Sequence, residues 1–422
     1  MSETNNMAKR RLLAPFKGDT VIWVLFLLLT IISLIAVYSS IGLSAISDSH
    51  ITPHRAFVKH LFFVATSYLL VVFMANVNYR KVASFTVVGY VASVVLLILV
   101  LAVGGHDAGS GSGRWLRIPL IHATFQPSEF AKVMLILYLA RNLASNSSQL
   151  EDRNVFLVIC FTVLLVVALI MPENLSTAII LFVVCFAMMR FTGVNIRQWR
   201  LTVFGLLAFA FLAIFISSHI DGIGGPLARS ETWAGRIERW LHPNPDELNQ
   251  ENMARMAVAS GGAFGRGIGN TVHARLMTQS HNDFIYAIII EERGMVMGII
   301  VFLIYAILYL RCLRIVWRCK GTFGQLSVAG LSTMIFIQAV VHMGVSVGAF
   351  PVTGQTLPLI SAGGTAYLCT ALSIGMIQSV AADVNRAELR TQKKHNAADA
   401  DVFVDETEKS DIDNNLSEED GI

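Results

Sequence analysis

Residues 20–39 read TVIWVLFLLLTIISLIAVYS, a run without one charged side chain. A helix of about 20 apolar residues is long enough to cross the hydrocarbon core of a bilayer, which is about 30 Å thick. Comparable apolar stretches recur at about 57–76, 83–103, 127–143, 154–171, 174–190, 200–218, 282–310, 325–348 and 364–383. The sequence therefore predicts an all-α polytopic membrane protein with about ten transmembrane helices.

The composition excludes a soluble globular protein. Hydrophobic residues make up 54% of the chain and charged residues 14%, whereas a soluble domain has about a quarter charged residues. The formal net charge of +3 is too small to indicate a nucleic-acid partner. The five cysteines lie in apolar segments or in a basic connector, without the spacing of a disulfide framework or a metal site.

The distribution of the 32 lysines and arginines predicts the orientation. Most of them lie at the two ends and in alternate connectors, so both termini are expected in the cytoplasm. The protein is then a multi-pass inner-membrane protein, with its chemistry on the extracytoplasmic side. Residues 1–19 form a cytoplasmic segment, residues 20–385 the transmembrane domain, and residues 386–422 an acidic cytoplasmic tail that is predicted to be disordered. The outer segments are 104–126, 219–281 (a large loop between helices 7 and 8) and 349–363.

Ser280-His281-Asn282-Asp283-Phe284 lies where the large outer loop meets the eighth predicted span. Asp283 is expected in the first turn of that helix, where the helix dipole stabilises a carboxylate. The alternative is a helix-capping cluster, because such residues are common at helix starts. Glu291 and Glu292 follow deeper in the span, where an acidic residue is expected to be functional or paired.

Gln126-Pro127-Ser128-Glu129 opens the fourth predicted span, and Lys132 follows on the same helical face as Glu129. Residues three apart on a helix can form an ion pair. Such a pair either faces a polar cavity or is purely structural. His342, inside the ninth span, is interpreted as a buried hydrogen-bonding histidine rather than a ligand.

The glycine run 261–270, GGAFGRGIGN, is superficially similar to a phosphate-binding loop. It lacks the preceding strand and the βαβ context that such loops require. We interpret it as an outer loop whose backbone can come close to a ligand.

These motifs together resemble the SEDS family of cell-wall polymerases, which includes FtsW, RodA and SpoVE. The resemblance covers about residues 20–385. It rests on the order and spacing of several motifs, namely Gly113-Arg114-Trp115-Leu116, Gln126-Pro127-Ser128-Glu129 with Lys132, Gly261-Gly262 through Asn270, His281-Asn282-Asp283-Phe284, Glu291-Glu292-Arg293-Gly294, Pro351-Val352-Thr353-Gly354-Gln355-Thr356-Leu357-Pro358 and Ile360-Ser361-Ala362-Gly363-Gly364.

The resemblance implies a ten-helix glycosyltransferase that polymerises lipid II into glycan strands on the outer face of the membrane. It implies that Asp283 is the essential acidic residue, and that the partners are a class B penicillin-binding protein and other division proteins. Thr278-Gln279-Ser280, Glu173 and His342 depart from the family pattern. Glu173, Gln279 and His342 therefore inherit no role from the resemblance.

The implied reaction needs a base for the attacking sugar hydroxyl and positive charge near the departing diphosphate. Asp283 is the candidate base. A divalent cation, Mg or Mn, could bridge it to the diphosphate, but the sequence shows no set of metal ligands. The candidates for binding the substrate or its diphosphate are Arg114, Glu129, Lys132, Arg236, Arg239, Arg266 and His281.

Three alternatives stay open at this stage. A transporter that flips the lipid-linked precursor would need a polar path across the whole membrane, whereas the ionisable residues here gather towards the outer half or the interfaces. A non-catalytic scaffold of the division complex would tolerate loss of Asp283. Within the family, the flanking segments at both ends fit the longer division-specific members, with an elongation-specific RodA-type polymerase as the alternative.

Overall fold

The computed structural model of the chain describes residues 16–47, 53–103, 116–118, 123–204, 230–242, 249–273, 277 and 280–419. Most of these residues are helical. The helices are α1 (Thr20–Ser47), α2 (Pro53–Asn76), α3 (Tyr79–Val103), α4 (Pro127–Ser145), α5 (Arg153–Ile170), α6 (Leu175–Phe191), α7 (Ser230–Leu241), α8 (Gln250–Gly261), α9 (Ser280–Asp283), α10 (Ile285–Arg318), α11 (Thr322–Ser346) and α12 (Gly364–Glu419).

The predicted fold class is confirmed. Among the described residues, seven helices are long and apolar enough to cross a membrane, namely α1, α2, α3, α5, α10, α11 and the first part of α12, and α6 is a shorter apolar helix. Helix α4 occupies the fourth predicted span. It is not among these seven helices, and it has a buried ion pair near its start. Of the seventh predicted span, at 200–218, residues 200–204 belong to a helix that begins at residue 196. The remainder of this span, and most of segment 104–126, lie outside the described residues.

The helices pack through apolar faces that the sequence distributes along each of them. Helix α12 packs along α2, α10 along α11, and α3 along α4, which also contacts α11. On α4, Leu135, Ile136 and Leu139 are completely buried, and their spacing places them on one face. Large apolar side chains such as Phe161 and Leu69 are exposed, as expected for helices that face lipid.

Helix α10 contains a break that its apolar pattern does not reveal. Its 34 residues would form a rod of about 50 Å, far longer than a bilayer core. Gly294 has φ 79° and ψ 173°, values outside the helical region. The break separates residues 295–318, which are long enough to cross a membrane, from residues 285–293, which connect directly to α9 and Asp283.

A small β-hairpin adds to the predicted all-α architecture. Strands β1 (Leu116–Ile118) and β2 (Ala123–Phe125) are antiparallel, with Leu116 opposite Phe125. They lie in segment 104–126, directly before α4. The hairpin therefore leads into the helix that begins with the Gln126-Pro127-Ser128-Glu129 motif.

Helix α12 extends beyond the last predicted span. It runs from Gly364 to Glu419, and no glycine or proline occurs between Gly375 and Glu419 to interrupt it. The disorder that composition predicts for residues 386–422 stays a prediction.

Candidate active site

The segment between α11 and α12 is the point where the candidate site residues are connected. We call residues 349–363 the junction segment. It has no regular secondary structure, and side chains from different helices hold its backbone carbonyls. Ser33 of α1 donates to Ile360 O (2.7 Å), Tyr305 of α10 to Pro358 O, Gln338 of α11 to Thr356 O (3.2 Å) and Arg236 of α7 to Val352 O (3.3 Å).

The junction segment contains a strained residue. Leu359 has φ 64° and is fully buried. A non-glycine residue in this region costs about 1–3 kcal/mol and persists only when its surroundings fix it. The hydrogen bonds to the flanking Pro358 and Ile360 carbonyls supply that fixation.

The pairing predicted for Glu129 and Lys132 is confirmed. Lys132 Nζ lies 2.8 Å from Glu129 Oε1, and both side chains are almost completely buried. The ammonium also donates to Gln338 Oε1 at 3.3 Å. Since Gln338 in turn donates to Thr356 O, a continuous polar connection runs from the start of α4 to the junction segment.

Asp283 is connected to the same junction segment from the other direction. It ends the one-turn helix α9, two residues before α10 begins, and its side chain is half-buried. The carbonyl of the preceding residue, Asn282, accepts a 2.8 Å hydrogen bond from Ser361 Oγ. Asp283 also lies directly ahead of the N-terminus of α10, and the N-terminal end of a helix attracts anionic groups.

The glycine run closes on the broken helix. Arg266 N donates to Glu291 O (3.0 Å), Gly267 N to Glu292 O (2.9 Å) and Met295 N to Gly262 O (2.9 Å). Added methyl groups at Gly261 or Gly265 would overlap the backbone of α10, and one at Gly294 would overlap Ala263 and Phe264. The sequence suggested that these glycines let the loop backbone approach a ligand. In the structure they let it approach α10 instead.

Glu291 and Glu292 are paired, as their depth predicts. Glu291 Oε1 accepts from Val272 N (3.0 Å) and His273 N (3.2 Å), and it lies 3.0 Å from His273 Nδ1. Glu292 Oε1 accepts from Gly269 N (3.1 Å) and from the Ser39 hydroxyl. Both carboxylates fasten the end of the glycine run, and through it the position of residues 285–293.

The predicted arginines fall into different environments. Arg236 contacts the junction segment, whereas Arg239 forms a long, solvent-accessible ion pair with Glu251 (3.9 Å). Arg266 is exposed and donates to the Ser260 carbonyl (3.3 Å). Arg114 lies outside the described residues, as does the side chain of His281, whose backbone belongs to α9. The described contacts thus bring Lys132 and Arg236, but not Arg239 or Arg266, to the junction segment.

Sequence reasoning missed the residues that connect the site. Gln338 and Ser361 bridge the junction segment to α4 and α9. Ser361 lies in one of the motifs that carry the resemblance but was given no role, and Gln338 lies in none of them. The signal that could have found Gln338 was an amide side chain within an apolar helix, one turn before His342. His342 itself is buried, as predicted, with 1% of its surface exposed, but neither ring nitrogen has a hydrogen-bond partner among the described residues, so its predicted hydrogen bonding is not confirmed.

A metal site is not preformed among the described residues. No group of three or more His, Cys, Asp or Glu side chains there could hold an ion. Asp283 offers one carboxylate, which suits Mg²⁺, because Mg²⁺ commonly combines one or two carboxylates with substrate phosphates and water. What the arrangement offers chemically is a positioned, half-buried carboxylate, connected through one segment to a buried cation.

Comparison with known proteins gives a consistent result. The FtsW, RodA and SpoVE family, described as "Cell cycle protein", matches residues 19–386. A probable peptidoglycan glycosyltransferase FtsW of Bacillus subtilis is 29% identical, over 86% of this chain and 90% of the relative. A protein of the same name from Dichelobacter nodosus is 30% identical, over 89% of this chain and 92% of its own.

The fold has solved counterparts as well. A chain from the structure "Structural coordination of polymerization and crosslinking by a peptidoglycan synthase complex" superposes with a TM-score of 0.65 at 24% identity. The superposition covers 87% of this chain and 98% of that one. At this identity the likeness establishes the shared fold, and the chain is accordingly a multi-pass membrane protein.

Proposed function

The chain belongs to the FtsW, RodA and SpoVE family of cell cycle proteins, and from this premise we propose that it is the peptidoglycan glycosyltransferase of the division septum. It polymerises lipid II into glycan strands on the outer face of the cytoplasmic membrane. The curated relatives carry the name of this activity, at high coverage of both chains.

One structural observation supports the proposal most. Asp283, a half-buried carboxylate, and Lys132, a buried ammonium, are joined through the junction segment by hydrogen bonds of Ser361 and Gln338. A glycosyl transfer onto a hydroxyl needs these two kinds of group, a base and a positive charge, in one fixed arrangement.

In this mechanism, Asp283 accepts the proton of the 4-hydroxyl of one lipid-linked disaccharide. That oxygen attacks the anomeric carbon of the growing glycan, and the polyprenyl diphosphate leaves. Lys132, Arg236 and Arg114 are the candidates for the diphosphate charge, while Glu129 keeps Lys132 in place. Asp283 is the residue that would hold a Mg²⁺ or Mn²⁺ ion, and such an ion would supply positive charge for the leaving diphosphate.

The experiment that tests the activity uses purified protein and lipid II. Polymerisation appears as glycan ladders on a gel, whereas a flippase would move fluorescent lipid II across vesicle membranes without lengthening it. Glycan ladders from the wild-type protein are the expected result. Flipping without polymerisation would overturn the proposal, and inactivity in both assays would favour a scaffold.

We place the protein in the inner membrane, with both termini and the connector 311–324 in the cytoplasm and residues 219–281 outside. The five native cysteines, all buried, are first replaced, and a single cysteine is then introduced at Asn244. We expect an impermeant thiol reagent to label this cysteine in intact cells. Labelling only in broken cells would reverse the orientation.

The proposed partner is a class B penicillin-binding protein, which cross-links the new strands together with other division proteins. The solved counterpart belongs to a peptidoglycan synthase complex, which supports a partner of this kind. Depletion of the protein is expected to block septation and to give filaments. Rounded cells that still divide would instead indicate an elongation-specific polymerase.

A further inference from the structure

The backbone carbonyl directly before Asp283 is held by a side chain from a distant part of the chain. Ser361, in the junction segment, donates to Asn282 O at 2.8 Å. A peptide bond is planar, so fixing this carbonyl fixes the plane from which Asp283 extends.

The Ser361 hydroxyl is itself oriented. It accepts a 2.8 Å hydrogen bond from Leu357 N, which leaves its single proton for Asn282 O. Ser361 is 2% exposed, so water has little access to compete for either bond. The hydroxyl therefore links the junction segment to the Asn282–Asp283 peptide with a defined donor direction.

We propose that Ser361 is a positioning residue that fixes the Asn282–Asp283 peptide and so aims the Asp283 carboxylate. This inference rests on the proposed function, because it assumes that Asp283 is the base. Ser361 does not touch the reacting atoms. Misplacement of a catalytic group by about 1 Å can lower a rate by about a hundredfold, so loss of the Ser361–Asn282 hydrogen bond should lower kcat while KM for lipid II stays within about twofold.

The test compares Ser361→Ala with Ser361→Thr in the purified full-length protein. We expect Ser361→Ala to lower kcat at least about tenfold. Threonine keeps the hydroxyl donor and should restore a large part of the loss. Thermal unfolding in the same detergent reports whether a variant is merely destabilised.

Ser93→Ala is the matched control. It also removes the hydroxyl of a fully buried serine that donates to a backbone carbonyl, but the bond is to Tyr90 O (2.7 Å), within α3 itself. We expect it to keep kcat within about twofold. Equal losses of kcat in Ser93→Ala and Ser361→Ala would overturn the positioning role, as would a wild-type kcat in Ser361→Ala.

Failure of the positioning role and failure of the base assignment are distinguishable. If the wild-type protein polymerises lipid II and Asp283→Asn does not, a wild-type kcat in Ser361→Ala refutes only the positioning role of Ser361. If Asp283→Asn retains the wild-type rate, the assignment of Asp283 as base fails, and the positioning role of Ser361 fails with it.

Discussion

Two irregular segments surround the Asp283 region, and they are held in different ways. The glycine run 261–270 packs backbone against backbone on the break in α10. The junction segment is instead held by side chains of four helices that donate to its carbonyls. The first arrangement should fail when a side chain is added, and the second when a side chain is removed.

The largest effect is expected at Gly294, in the contact between the glycine run and α10. Gly294→Ala would introduce a methyl group that overlaps Ala263 and Phe264, at φ 79°. The clash and the unfavourable φ together should destabilise the fold by about 5 kcal/mol, because the overlapped atoms are backbone and cannot rotate away. Thermal unfolding in detergent and the yield of monodisperse protein measure this effect.

Gly269→Ala is the control for that experiment. Gly269 has the same φ of 79° but no atom within 4 Å of an added methyl group. It should lose only about 1–2 kcal/mol, the cost of the left-handed backbone. Equal destabilisation by the two substitutions would show that the packing of the glycine run on α10 contributes nothing.

On the other side of the comparison, Lys132→Ala removes a side chain and leaves Glu129 buried without its cation. Loss of one partner of a buried pair costs about 3 kcal/mol, so we expect lower protein levels and loss of polymerase activity. The double variant Glu129→Gln, Lys132→Met removes both charges and should recover most of the stability without the activity. Normal activity in Lys132→Ala would exclude a role for the pair.

Much of this architecture could be predicted from the sequence. The spans follow from apolar runs, and the Glu129–Lys132 pair follows from their spacing on one helix. The junction segment could not be predicted, because Ser33 and Ile360 are 327 residues apart in the chain. Local patterns carry no information on such contacts. The break at Gly294 was hidden for a related reason, since its cause is the packing of the distant residues Gly262 and Ala263.

The smallest predicted effects distinguish two arginines of α7. Arg236→Ala removes a donor to the junction segment and should cost about 1.5 kcal/mol. Arg239→Ala removes only an exposed pair at 3.9 Å, so its unfolding free energy should change by less than about 0.5 kcal/mol. If chemical denaturation gives the opposite order, α7 is not fastened to the junction segment through Arg236.

The central claim is that Asp283 is the catalytic base of a lipid II polymerase, and its most direct test is the polymerisation rate of purified Asp283→Asn. The amide keeps the shape of the side chain but accepts no proton and binds a cation poorly. Loss of a general base usually costs about 10²–10⁴ in rate. We therefore predict a stable protein that makes no detectable glycan from lipid II, whereas polymerisation at near the wild-type rate would contradict the account.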